Sequence, residues 1–265
     1  MNVVDFLRKH NIEPKEYSDQ FFLTDEDILK READYANLNN EDVVLEIGPG
    51  IGNLTEKLIS KAKKVIVIER DKRFCEMLEN RNVSNLKILR GDFLNVDIPR
   101  FDKVVSNIPY GISSPLTLRL LELEWKTAVL TYQKEFAERF ISKPGESDYS
   151  RLSVLIQYFT DVELLENIPK SKFFPQPDVD SAIVRLKQKR VKDGGMEPFW
   201  KFVRECFRHK NKKVKNSLIA SKNILDLDED YLKSKSGDIF EKKVFMCDID
   251  DLEKLFNILR KERVL

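Results

Sequence analysis

Histidine and cysteine are scarce in this chain, with two histidines and three cysteines among 265 residues. Cys75, Cys206 and Cys247 stand far apart and form no C-x-x-C pair. No zinc site is therefore expected, and the cysteine usage reads as that of a reduced, cytoplasmic protein without a metal. Long apolar runs are missing as well. None approaches the roughly twenty residues needed to cross a bilayer, and the N-terminus carries no apolar signal segment, so no membrane partner is expected. An excess of either charge sign is also absent, since 46 Lys and Arg against 45 Asp and Glu leave a net charge of +1. Spread evenly, that balance would argue against a nucleic-acid partner, but binding needs a local patch rather than a basic total. Glycine is sparse too, with nine residues, and three of them fall within Gly48-Pro49-Gly50-Ile51-Gly52.

What is present is enough apolar sequence for a large core. A chain of 265 residues with 42% hydrophobic content exceeds one minimal domain, so two domains are expected. Apolar runs of strand length alternate with helix-length segments, the pattern of a parallel α/β sheet. Strands are expected at Val43 to Ile47, Val65 to Ile68, Leu86 to Leu89, Lys103 to Ser106 and Lys126 to Tyr132, with helices over Gln133 to Ile141 and Arg151 to Phe159. Val162 to Ile168 and Ala182 to Leu186 supply two late strands close enough in sequence to pair at one end of the sheet. Lys187 to Pro198, which contains Lys189, Arg190, Lys192 and Gly194-Gly195, reads as a linker. Beyond it Phe199, Phe202, Val203, Cys206 and Phe207 recur at helical spacing, and Leu252, Leu255, Phe256 and Leu259 form a last apolar stripe. The expected division is residues 1–188 as an α/β domain and residues 189–265 as a small α-helical one.

Chemistry gathers where the strands end, because ligands of open α/β sheets bind outside the carboxyl ends of the strands. The loop from Gly48 to Gly52 lets backbone approach a ligand closely at Gly48 and Gly50. Its G-x-G-x-G spacing, with Asn53 next, departs from the G-x-G-x-x-G of dinucleotide sites and disfavours NAD or FAD. Glu69 ends the second strand, about twenty residues past the glycine turn, where an acid can accept both hydroxyls of a ribose. Asp71 behind it also suits a helix N-cap. At the third strand end Asp92 can accept from an adenine amine, and Phe93 can cover the ring. Asn107-Ile108-Pro109-Tyr110 ends the fourth strand with an amide oxygen that accepts from an exocyclic amine and an aromatic face that stacks on its heterocycle. Each segment alone also reads as an ordinary turn.

Together these segments resemble the S-adenosylmethionine-dependent methyltransferases, and more narrowly the ribosomal RNA small-subunit adenine dimethyltransferase family. The resemblance runs from about Tyr17 to Leu186 and more weakly to the C-terminus. Besides the segments already named, it rests on Asp19-Gln20-Phe21-Phe22-Leu23, on Thr131 to Arg139 and on Phe173-Phe174-Pro175-Gln176-Pro177-Asp178-Val179-Asp180-Ser181. It implies a Rossmann-like seven-stranded methyltransferase sheet with a small C-terminal helical domain. It also implies S-adenosyl-L-methionine as cofactor, and a reaction giving N6,N6-dimethyladenosine near the 3' end of small-subunit ribosomal RNA during ribosome assembly. The implied catalytic set is Asn107, the Pro109 carbonyl, Tyr110 and one of Phe173 and Phe174. The implied cofactor set is Gln20, the backbone at Phe21, Leu23, Gly48, Gly50, Glu69, Asp92 and Asn107. Where the family carries Gly-Gln-Asn-Phe-Leu, this chain has Asp19 and Phe21 in place of the Gly and the Asn, which removes any contact of that Asn side chain.

The run Arg208-His209-Lys210-Asn211-Lys212-Lys213-Val214-Lys215 holds five Lys or Arg and no acid. It reads either as a solvated helix face or as a phosphate-contacting patch, and with the resemblance Arg208, Lys210, Lys212 and Lys213 become the expected RNA contacts. The expected partner is small-subunit rRNA in an assembling small ribosomal subunit, bound by a monomer. Two other classes stay open: a different nucleic-acid or small-molecule amine methyltransferase, separable by comparing acceptors, and a non-enzymatic assembly factor, separable by loss of cofactor binding.

Overall fold

The computed structural model describes residues 3–10, 12–14, 20–189 and 197–261. Among these residues strands alternate with helices: α1 Val3–Lys9, β1 Phe22–Leu23, α2 Glu26–Tyr35, β2 Val43–Ile47, α3 Asn53–Ile59, β3 Lys64–Glu69, α4 Lys72–Glu79, β4 Leu86–Arg90 and β5 Lys103–Asn107. After a 3-10 turn over Tyr110–Ile112 come α5 Ser113–Leu121, β6 Thr127–Gln133, α6 Lys134–Glu138, α7 Arg151–Phe159, β7 Thr160–Ile168, β8 Phe173–Phe174 and β9 Ser181–Gln188. Then follow α8 Glu197–Arg208, α9 Val214–Ala220, α10 Lys222–Leu225, α11 Glu229–Ser234, α12 Asp238–Glu241 and α13 Ile249–Lys261.

Seven strands form one sheet in the order β4-β3-β2-β5-β6-β9-β7, and the expected seven-stranded α/β architecture is what the chain adopts. The pairs from β4 through β6 are parallel, while β9 runs antiparallel to β6. The order reverses direction at β2 and β5, the switch point where a crevice opens in doubly wound sheets. Leu45, Ile66, Val104 and Leu130 are buried along with their neighbours Val44, Val65, Val105 and Val129, so both sheet faces are covered. On one face α2 and α3 contribute Leu29, Ala33, Leu54 and Leu58 to a single cluster with Val65, Val67, Val105 and Val129. Fully burying a side chain such as Leu58 stabilises the fold by about 1.5 to 3 kcal/mol.

Local chemistry sets the helix starts. Asp25 caps α2 by accepting from the amides of Asp27 and Ile28, and Asp71 caps α4 by accepting from Arg73 N–H. Ser150 and Ser153 form a reciprocal cap at the start of α7. One feature departs from expectation: β1 and β8 make a separate two-stranded ladder with Phe22 opposite Phe174 and Leu23 opposite Phe173. Two sequence segments about 150 residues apart are thereby joined. A second departure is the helix expected over Gln133 to Ile141, which spans only Lys134–Glu138: Gln133 still pairs with Ser181 in the sheet, and Arg139 to Ile141 form a turn.

Two compact units divide the chain. One holds residues 1–137 and 162–188, and the other holds residues 138–161 and 189–265. Compared with the expected boundary at 188/189, α7 joins the C-terminal helices, since it packs against α8 and α13. Within that second unit Phe199, Phe202, Val203, Cys206, Phe207, Leu252, Leu255, Phe256 and Leu259 are buried as the periodicity indicates. The expected linker falls largely on residues 190–196, outside the described residues.

Candidate active site

A cavity opens at the carboxyl ends of β2, β3, β4 and β5 and leaves about 1070 Å³ empty, mouth included. Its wall is built from Gln20, Phe21, Leu23, Gly48, Gly50, Glu69, Asp92, Asn107, Pro109, Tyr110 and Phe173, so eleven of the twelve catalytic and cofactor residues expected from the sequence meet in one place. Phe174 is the exception. Its side chain packs on the cluster of Val3, Leu7, Phe22, Ile51 and Phe74, because neighbours on a strand point to opposite faces. Phe173, 5% exposed, is the one of the pair that lines the cavity. Asp19 lies outside the described residues.

The glycine turn works through its backbone. Gly48 and Gly50 have φ of +68° and +55°, and a Cβ at Gly50 would stand 2.8 Å from the Phe22 ring. The Gly50 amide donates to Glu69 Oε2 (3.2 Å) and the Asp71 amide to Glu69 Oε1 (2.7 Å), which fixes the carboxylate at the tip of β3. The Arg70 amide is a third backbone donor to this carboxylate, which keeps acceptor capacity for a ligand hydroxyl. Burial raises Glu69 above the ordinary carboxylate range, and these backbone donors partly offset it. Asp71 is held down to about 2 chiefly by its hydrogen bonds from Arg73, and it also accepts from Gln20 Nε2 (3.3 Å). Asp92 Oδ1 is engaged by the Leu94 amide (2.9 Å), and Phe93 beside it is buried in the wall.

At the end of β5, Asn107 Nδ2 donates to Glu32 Oε2 (3.2 Å), while Asn107 Oδ1 is buried with no protein partner. An unpaired buried acceptor costs about 1 to 3 kcal/mol, a cost that a ligand donor would remove. Asn53 Oδ1 is a second such acceptor in the same wall. The Pro109 carbonyl accepts from the Ile112 amide (3.2 Å), and the Tyr110 hydroxyl is 2.6 Å from Ser181 Oγ. Among the described residues no group of three or more His, Cys, Asp or Glu could hold a metal, and no helix is long and apolar enough to cross a membrane.

Two buried carboxylates in this region were not assigned a role from the sequence. Glu32 on α2 accepts from Asn107 and from Thr131 Oγ1 (2.9 Å), and burial raises it to about 7. Glu46 in β2 accepts from Thr55 Oγ1 (2.7 Å), and burial raises it to about 8. The signal for both was an acid in an apolar position. Glu32 falls on the stripe of Ile28, Leu29 and Ala33, and Glu46 interrupts a strand of Val and Leu.

In the second unit His209 to Lys213 of the basic run form the turn between α8 and α9, with Arg208 ending α8 and Val214 and Lys215 opening α9. Arg208 pairs with Glu205 (3.2 Å) and Lys213 with Glu241 (2.6 Å), while Lys210 donates to the Ser147 carbonyl (3.3 Å). Lys212 is exposed and makes no ion pair among the described residues.

Comparison with known proteins agrees with this geometry. A family model described as "Ribosomal RNA adenine dimethylase" matches residues 12–258. A protein of Thermococcus sibiricus named "Probable ribosomal RNA small subunit methyltransferase A" is 41% identical over 271 residues, covering 99% of this chain and 98% of its own. Among solved structures, a dimethyladenosine transferase from Plasmodium falciparum superposes with a TM-score of 0.80 at 33% identity, covering 92% of this chain and 98% of that one. The 23S rRNA methyltransferase ErmE superposes with a TM-score of 0.66 at 30% identity, over 90% of this chain and 99% of that one. A match over nearly the full length, on a fold whose cavity gathers the segments singled out in the sequence, means that this chain belongs to the ribosomal RNA adenine dimethylase family.

Proposed function

We propose that this protein methylates the N6 amine of adenosines near the 3' end of small-subunit ribosomal RNA, giving N6,N6-dimethyladenosine, with S-adenosyl-L-methionine as methyl donor. One observation carries the chemistry: Asn107 Oδ1 is a buried acceptor without a protein partner in the wall of the strand-end cavity. Small-subunit rather than large-subunit RNA is favoured because the relatives carrying that name match at about 40% identity across almost the whole chain.

The residues present fit the donor. Glu69 can accept from ribose hydroxyls and Asp92 from an adenine amine. Gln20, Leu23 and the backbone at Phe21, Gly48 and Gly50 complete the wall around it. When bound, S-adenosyl-L-methionine supplies an electrophilic methyl group on a sulfonium. The protein's task is then alignment of a weak nucleophile, whose lone pair is delocalised into the purine. Asn107 Oδ1 and the second lone pair of the Pro109 carbonyl accept the two N6 hydrogens, favour a pyramidal nitrogen and offset the positive charge that develops on it. Tyr110 stacks on the target base with its plane held through Ser181, and Phe173 closes the far wall. Once one methyl is in place and the proton that N6 releases has passed to solvent, a single N6 hydrogen remains for these acceptors.

The target adenine must be unstacked to enter. Arg208, Lys210, Lys212 and Lys213 are the residues proposed to hold the RNA backbone, with residues 1–188 catalytic and 189–265 contacting the ribosomal particle. The acceptor is proposed to be an assembling small ribosomal subunit in the cytoplasm, met by a monomer. Labelled methyl transfer to small subunits lacking the modification, followed by nucleoside digestion, tests the reading. The expected product is N6,N6-dimethyladenosine, formed at least about tenfold more slowly by Asn107→Ala, whereas label in 23S rRNA, DNA or free nucleoside alone would redirect the substrate.

A further inference from the structure

The side-chain amide of Asn107 has two orientations that fill the same space, and only one presents an acceptor to a substrate amine. What decides between them is the partner behind it. Asn107 and Thr131 stand opposite each other in the parallel pair β5 and β6, so both side chains project from one face of the sheet. On that face sits Glu32 of α2, which is fully buried. Its Oε2 accepts from Asn107 Nδ2 at 3.2 Å and its Oε1 from Thr131 Oγ1 at 2.9 Å. Among the described residues no Lys or Arg forms an ion pair with it.

We propose that Glu32 is a positioning residue that locks the Asn107 amide with its oxygen toward the cavity and polarises it for the substrate amine. This rests on the functional reading above and adds to it. An ionised carboxylate can only accept hydrogen bonds, so it selects the NH2 side of the amide and turns Oδ1 to the opposite side. Thr131, by occupying the other oxygen, keeps the carboxylate from rotating to an alternative partner. Burying a carboxylate without a cation is costly. A leucine at this position would simply extend the stripe of Ile28, Leu29 and Ala33, so packing alone does not account for an acid. Negative charge behind the amide makes Oδ1 a stronger acceptor and counters the positive charge that grows on N6 during transfer.

Burial raises Glu32 to about 7. Once protonated, Glu32 gains a donor that Asn107 Oδ1 can accept after a flip, and the NH2 then faces the cavity. The groups facing Glu32 are Asn107 from β5, Thr131 from β6, and the carboxylates of Glu46 from β2 and Glu166 from β7, which favour its neutral form; Glu166 is itself held by Arg31 and Tyr35.

The test is a double-mutant cycle between Glu32→Gln and Asn107→Ala, read by single-turnover methyl transfer to small subunits. Donor affinity is measured by calorimetry on the same proteins. Glu32→Gln, which tolerates either amide orientation, is expected to lower the transfer rate by at least about tenfold with donor affinity within about twofold. In the Asn107→Ala background the same change is expected to cost less than about twofold. An equal loss in both backgrounds, or no loss in either, overturns the proposal. A second measurement needs no variant and no activity: the Asn107 side-chain 15N resonance of the wild-type protein should shift with pH around a midpoint near 7, and an Asn107 amide indifferent to pH overturns the coupling. If wild-type protein methylates no RNA while its Asn107 amide still titrates, the functional reading fails and the positioning geometry stands.

Discussion

The ring of Phe21 lies against that of Tyr110, with centroids 5.6 Å apart and planes inclined by 24°. Phe21 falls where the family resemblance gives an asparagine, and this chain presents an aromatic ring to Tyr110 there. With the Tyr110 hydroxyl held by Ser181, the pair forms a stacked platform whose orientation is set before any base arrives.

A preorganised platform predicts a split in kinetics. Phe21→Ala removes an offset stack of the kind that contributes about 0.5 to 1.5 kcal/mol, so KM for the RNA should rise by roughly two- to tenfold. Donor affinity should change little, because the expected contact at Phe21 is its backbone. Calorimetry with the donor alongside steady-state kinetics separates the two, and a loss confined to donor binding would place the Phe21 ring against the cofactor instead.

Glu69 predicts the opposite split. Its two oxygens are aligned by the Gly50 and Asp71 amides and still have lone pairs free for a ribose. Charge-assisted hydrogen bonds contribute about 1.5 to 3 kcal/mol, so Glu69→Ala should weaken donor binding by roughly ten- to a hundredfold. Turnover at saturating donor should be largely retained. A variant with normal donor affinity would remove Glu69 from the cofactor set.

These assignments differ in how far the sequence carried them. The sheet was legible because parallel strands buried on both faces are continuous apolar runs, as in Val65 to Ile68, and because Gly48, Glu69, Asp92 and Asn107 each sit at the end of one. The β1 to β8 ladder was not, since two-residue strands have no periodicity and their pairing is a long-range event. Phe173 and Phe174 could not be told apart for the same reason. Glu32 was visible only as an acid on the apolar stripe of an amphipathic helix, and nothing local announces that its partner is Asn107, 75 residues away. The basic run was legible as charge, but its ion pairs with Glu205 and Glu241 depend on packing within the second unit.

Glu46 makes stability depend on pH with a definite sign. Unfolded, it titrates at the ordinary value of 4.5; folded, burial raises it to about 8, partly offset by the Thr55 hydroxyl. The folded protein therefore keeps a proton that the unfolded chain has released. Its contribution is full below about pH 4.5 and is lost as pH rises through about 8. Glu46→Gln retains an acceptor for Thr55 and cannot ionise. Its melting temperature relative to wild type should therefore climb steadily from acid to mildly alkaline pH, and thermal melts across that window check it. A constant difference would mean that Glu46 is already ionised in the folded protein at low pH.

Within the basic turn the lysines should not contribute equally. Lys213 must release Glu241 to meet a phosphate, although an exposed, solvent-screened pair of this kind resists only weakly. Lys210 is committed to a carbonyl, whereas Lys212 is exposed and among the described residues has no ion pair to break. Replacing Lys210, Lys212 and Lys213 by glutamine should weaken RNA binding at low salt. It should also reduce the slope of log affinity against log salt by about 0.7 for each single-strand phosphate that is no longer neutralised. Lys212→Gln alone should account for more of that change than Lys213→Gln alone. Filter binding across a salt series with the three single variants and the triple variant measures each slope. If all four keep the wild-type slope, the turn does not touch the RNA and the electrostatic attraction arises elsewhere on the protein.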